Sequence, residues 1–203
     1  MYKSVSRMQN GFTLIELMIG MAVGLIVLSG ALFLYLKIYI VSQSTLASTQ
    51  LNRELGILVD TMSGEIRRHG YFATSEANPY QASSSAGISI SGSCILYGYD
   101  VNADGIQDDN EYRGFRLDGQ KLWFARTASA ACDSTSGWEE FSSTDSILME
   151  SLLFNLNIDA HTTGSTTSYT RKVEMTVTAK DHKGITSSTK SVSILIPNNV
   201  VEN

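Results

Sequence analysis

Apolar residues follow three different patterns along this chain, and each pattern predicts a different element. From Leu17 to Leu36 the run LMIGMAVGLIVLSGALFLYL holds no charge. At roughly 1.5 Å of rise per residue it reaches about 30 Å as a helix, the thickness of a bilayer's hydrocarbon core. A transmembrane helix is expected there. Farther along, apolar positions thin to a stripe. Leu51, Leu55, Leu58, Met62 and Ile66 recur at intervals of three and four, the period of a helix with one buried face. The helix should therefore continue beyond the membrane. Arg67, Arg68 and His69 suit the negative end of its dipole, and Gly70 suits a C-terminal cap.

The third pattern is alternation, the mark of strands with one face buried. GFRLDGQKLWFAR reads as two strands around an Asp118-Gly119 turn. SLLFNLNID, VEMTVTA and SVSILIP follow, with Val173, Met175, Val177 and Ala179 on one face. Between the helix and the first strands, residues 73–93 are rich in Ser, Ala and Gly and include Pro79, so they read as a linker or surface loop. The whole predicts an α+β fold, in which a long N-terminal helix packs on an antiparallel sheet of four or five strands.

Composition changes this picture little. Fifteen basic against twenty acidic residues give a net charge of −5, which offers no bulk attraction to nucleic acid. His69, His161 and His182 are far apart in sequence, with no metal-ligand or nucleophile spacing around them. A non-enzyme is expected. Lys3 and Arg7 precede the apolar run and place that end in the cytoplasm, so the residues after Lys37 face the periplasm or an equivalent exterior. Within the run, Gly20 and Gly24 form a G-x-x-x-G, a spacing that lets helix backbones approach in lipid.

At Gly11-Phe12-Thr13-Leu14-Ile15-Glu16 the sequence resembles the class III leader junction of type IV prepilins and of the related pseudopilins of type II secretion. A basic leader, a Gly-Phe pair, a Glu after three intervening residues and an uncharged span together make the motif specific. The resemblance implies that prepilin peptidase cuts after Gly11 and methylates the new amine of Phe12. It also implies that Glu16 pairs with such an amine during assembly, and an i to i+4 spacing would let Glu16 meet the Phe12 amine of its own chain as well. The implied organisation is a leader at 1–11, a transmembrane helix at 12–36, its continuation at 37–70 and a β-rich pilin domain at 71–203. SGEIRRHGYFA further resembles the helix end of W-type minor pilins, whose partners would be other pilins and the inner-membrane assembly machinery. Two readings stay open beside it, a J-type minor pseudopilin and a membrane-anchored calcium-dependent module. Unlike many major pilins, this chain has no Pro in the apolar run; Pro79 and Pro197 lie far outside it.

Two further features carry chemistry. Cys94 and Cys132 are the only cysteines, and in an oxidising compartment one disulfide is expected, worth about 4 kcal/mol in the chain-entropy picture. DVNADGIQDDNE, residues 100–111, fits the calcium-loop pattern D-x-[DN]-x-[DN]-G-x5-E. Asp100, Asn102, Asp104, the carbonyl of Ile106, Asp108 through water and a bidentate Glu111 would be the ligands. CILYGY and YRGFRL flank the loop and read as strands, so the helices of an EF-hand are not expected.

Overall fold

The computed structural model describes residues 11–74, 78–81, 87–142 and 147–202, with burial assigned as far as residue 197. The chain divides into two units, Met1–Thr45 and Leu46–Asn203. One helix, α1 (Leu14–Arg67), contributes to both. It begins at Leu14 and not at Phe12, and its last helical residue is Arg67. Lys3 and Arg7 lie outside the described residues.

In the first unit every described residue from Gly11 to Thr45 is exposed. That includes the large apolar side chains from Phe12 to Val41, and a Cβ added at Gly20, Gly24 or Gly30 would touch nothing. A helix apolar on all sides has no stripe to bury within its own chain. By length and composition it could cross a membrane.

In the second unit the helix behaves differently. Leu51, Leu55, Val59, Met62 and Ile66 are buried in one core with both sheets, while Leu58 is only partly buried against it. Val59 thus takes the innermost place expected of Leu58. Residues 58 and 59 straddle the centre of a face whose period is 3.6, and the sheets select the second. Further contacts tie the same part of α1 to the β structure: Ser188 of the last strand donates to Asn52 at 2.7 Å, and the hydroxyl of Tyr99, just past Gly98, donates to Glu65 at 2.8 Å.

Among the described residues the strands form two antiparallel sheets, not one. Five short strands, β1 (Ser89–Ser91), β2 (Cys94–Gly98), β3 (Tyr112–Asp118), β4 (Lys121–Ala125) and β5 (Trp138–Glu140), pair in sequence order. Three long ones, β6 (Ile147–Thr163), β7 (Thr166–Asp181) and β8 (Ser187–Glu202), make the second sheet. In β7 the buried positions are Arg171, Val173, Met175, Val177, Ala179 and Asp181, a strict alternation. Strand β6 breaks alternation because its register shifts between Met149 and Ser151. That bulge switches parity, so Ile147 and Met149 before it and Leu152 and Phe154 after it all reach the same core.

The β3–β4 hairpin turns one residue later than expected. Asp118 pairs with Lys121, leaving Gly119-Gln120 as the two-residue loop. Gly119 has φ +63°, the conformation a type II′ turn needs at its first central position.

Candidate functional site

Three groups of residues carry polar chemistry. The first is the junction before α1. Thr13 closes the helix N-terminus: its Oγ1 accepts from the Glu16 backbone N–H at 3.3 Å and donates to Glu16 Oε2, also at 3.3 Å. Thr13-x-x-Glu16 is thus a capping pair of the T-x-x-E type, readable in the sequence and passed over when Glu16 alone is considered. The helix N-terminus also favours the negative charge. Gly11 and Phe12 precede the helix, and the Phe12 ring is 85% exposed. In the uncut chain Phe12 lies before the first helical residue, and the i to i+4 meeting expected with Glu16 concerns the amine that only cutting would free. Its nitrogen is an amide until the chain is cut, so Glu16 holds Thr13 instead.

The second group lies just past α1. Gly70 has φ +74° and its N–H donates to the Gly98 carbonyl at 3.0 Å. His69 is fully buried. Its Nδ1 lies 2.9 Å from the same Gly98 carbonyl and its Nε2 lies 3.1 Å from Arg171 Nη1. A carbonyl only accepts and a guanidinium only donates, so Nδ1 carries the proton and Nε2 accepts. Arg171 is itself fully buried, and burial holds its guanidinium below its ordinary pKa. No local pattern announces this pair, because the partners are separated by 102 positions. His161 and His182, by contrast, are exposed.

The third group is the connection from β2 to β3. Of the six residues expected to surround a cation, Asp100, Asp104 and Glu111 each bring a carboxylate oxygen within 4.8 Å of the others. Asp108 is exposed and stands outside this group. Asn102 is exposed and engages Asp104: its Nδ2 donates to Asp104 Oδ2 at 2.8 Å, and its Oδ1 accepts from the Asp104 N–H at 3.3 Å. Ile106 donates its own N–H to Asp104 Oδ1 at 2.8 Å.

Glu111 is 1% exposed and already accepts three hydrogen bonds. The Tyr80 hydroxyl at 2.5 Å and the Asp108 N–H at 3.0 Å use Oε2, while the Val101 N–H at 2.9 Å uses Oε1. With two lone pairs per oxygen, only Oε1 retains room. A bidentate role is therefore not what these bonds leave open. Tyr80 itself corrects the expected linker, since the 3-10 turn Pro79–Gln81 buries it under Gly98, where a Cβ would come within 2.7 Å of its ring. Burial, then the bond to Glu111, raises its phenol pKa. Burial pushes the Asp100 carboxyl up, but backbone N–H groups from Ala73, Gly105, Ala103 and Asp104 outweigh it and hold the pKa below the usual range.

Away from these groups, Cys94 and Cys132 form a disulfide with 5.8 Å between Cα atoms. It belongs to a small cluster with Ala125, Ala130 and Trp138, where the Arg116 guanidinium lies 4.8 Å from the Trp138 ring.

With this geometry in view, similarity to known proteins falls on both units. The family described as prepilin peptidase-dependent protein B matches residues 44–195, and the prokaryotic N-terminal methylation motif matches residues 6–32, which contain Gly11, Phe12 and Glu16. The Escherichia coli K12 protein named prepilin peptidase-dependent protein B is 26% identical over 149 residues, covering 70% of this chain and 75% of its own. No solved structure matches.

Proposed function

Since the chain belongs to the prepilin peptidase-dependent protein B family and carries the N-terminal methylation motif, we propose that it is a minor type IV pilin, a structural subunit that helps start or extend a pilus fibre. In this proposal a prepilin peptidase cuts between Gly11 and Phe12 and methylates the freed amine. The apolar part of α1 stays in the inner membrane, N-terminus inward, until the assembly machinery extracts it. It then enters a bundle of pilin helices, with the β-rich unit on the fibre surface.

The observation that carries this reading is the exposure of every described residue from Gly11 to Thr45 directly behind the motif. A helix with no buried face in its own chain must find cover elsewhere. A bilayer supplies it before assembly, and like helices supply it afterwards.

Glu16 gives the transfer its chemistry. A carboxylate well inside the bilayer costs on the order of 2.5 to 3.5 kcal/mol by insertion scales, so an ionisable residue there is by default functional. In the uncut chain the Thr13 hydroxyl and the helix N-terminus partly offset that cost. Cutting after Gly11 creates a cationic amine four residues away in sequence, on this chain and on every processed neighbour.

The test is Glu16→Ala expressed in a piliated host that lacks the native copy. The variant should insert and be cut, yet be poorly methylated or absent from sheared fibres. Normal methylation together with normal fibre content would refute the assignment of Glu16. Recovery of the parent chain with secretion-system components, and not with pili, would move the subunit to a pseudopilin fibre built on the same junction.

A further inference from the structure

We propose that the β2–β3 connection is a calcium site built from Asp100, Asp104 and Glu111, and that the ion fastens the segment following α1 to the five-stranded sheet. The site lies outside the assembly helix and does not depend on how that helix is used.

The spacing comes first. Calcium holds oxygens at about 2.3 to 2.6 Å, so ligands on opposite sides of one ion stand roughly 5 Å apart. The three carboxylates fall within that span, at no more than 4.8 Å. Two of them, Asp100 at 2% exposure and Glu111 at 1%, are shut away from the water that would otherwise screen them. Among the described residues none of the three forms an ion pair. Carboxylates buried side by side need a cation or a shared proton.

The second observation is independent of the clustering. Asp100 Oδ2 accepts from the Ala73 N–H at 3.1 Å and the Gly105 N–H at 3.0 Å. Its Oδ1 is sealed from solvent and accepts no hydrogen bond. The N–H groups of Ala103 and Asp104 favour the charged carboxylate, but neither closes a hydrogen bond to Oδ1. Buried acceptors are rarely left open in a native fold, and a cation is one of the few partners that would complete this one.

The donor set then selects the ion. The acidic cluster contains no histidine or cysteine, which disfavours zinc. Magnesium keeps most of its water and is held by one or two carboxylates, whereas calcium accepts a larger and less regular shell of oxygens. Asp100 Oδ1 and Glu111 Oε1 are the open buried positions, and Asp104, one hydrogen bond to each oxygen, closes the loop from outside.

The ion's effect follows from what these ligands already touch. The Asp100 N–H donates to the Tyr71 carbonyl at 2.9 Å, Asp100 Oδ2 receives the Ala73 N–H, and Glu111 receives the Tyr80 hydroxyl. Gly105 sits so close to Thr74 that a Cβ would approach its Cγ2 to 2.1 Å. Binding therefore stiffens residues 71–74 and 78–81 together with the loop.

Isothermal titration of the full chain in detergent micelles, stripped with chelator and titrated with calcium chloride, tests this directly. Saturable binding is expected, with a Kd of about 10⁻⁴ to 10⁻³ M, the range of extracellular modules. Asp104→Asn should weaken it at least about tenfold, and because Asp104 is exposed the variant should keep the parent's circular dichroism. Asp108→Asn, outside the cluster, should bind as the parent does. Absence of saturable heat, equal losses in both variants, or equal affinity for magnesium would each overturn the proposal.

Discussion

Helix α1 is one continuous element with two unlike regions. Up to Val41 its side chains are exposed and mostly apolar without periodicity; from Leu51 to Ile66 one stripe is buried and the opposite face is mainly polar. The difference teaches where each region's stability comes from. The second region is held by its own chain, through the core it shares with both sheets. The first has no buried side chain among its described residues up to Thr45, the condition that the proposed membrane and fibre environments would meet.

Substitutions can break this contrast, and the largest effect is expected in the striped region. Leu55 is fully buried, and Leu55→Ala should cost roughly 2 to 5 kcal/mol through lost burial and a cavity. Urea unfolding of the full chain in micelles, followed by Trp123 and Trp138 fluorescence, measures it. Leu28→Ala removes the same atoms from an exposed position and should shift that transition by no more than about 0.5 kcal/mol. Comparable losses at both sites would abolish the distinction. Between these extremes lies the helix end. Arg171→Leu takes away the donor that His69 Nε2 uses and should cost about 1 to 3 kcal/mol in the same experiment.

The contrast also marks what the sequence could disclose. The stripe was legible because a 3.6-residue period survives in the apolar positions, although period alone could not choose between Leu58 and Val59. Strand β7 was legible because its alternation is unbroken from Val173 to Ala179. Strand β6 was only half legible, since the bulge after Met149 hides which residues share a face.

Pairings between distant residues left no local trace. His69 and Arg171 look like ordinary polar residues until the helix end meets β7, and Tyr80 is concealed in a Ser- and Ala-rich stretch before its hydroxyl reaches Glu111. Thr13 shows the opposite failure. Its capping signature is complete within four residues, Thr13 to Glu16, and overlaps the prepilin-like junction that shares Glu16. In the acidic loop, composition located the carboxylates, while hydrogen bonding decides which oxygens remain open.

The exposed region begins in the short stretch between Gly11 and Glu16, which holds the proposed cleavage point. Mass spectrometry of the chain isolated from its native membranes reads that stretch directly. A processed pilin subunit starts at Phe12 and carries one methyl group on its amine. A chain that still begins at Met1, or one cut on the far side of the apolar run, would contradict the proposed function.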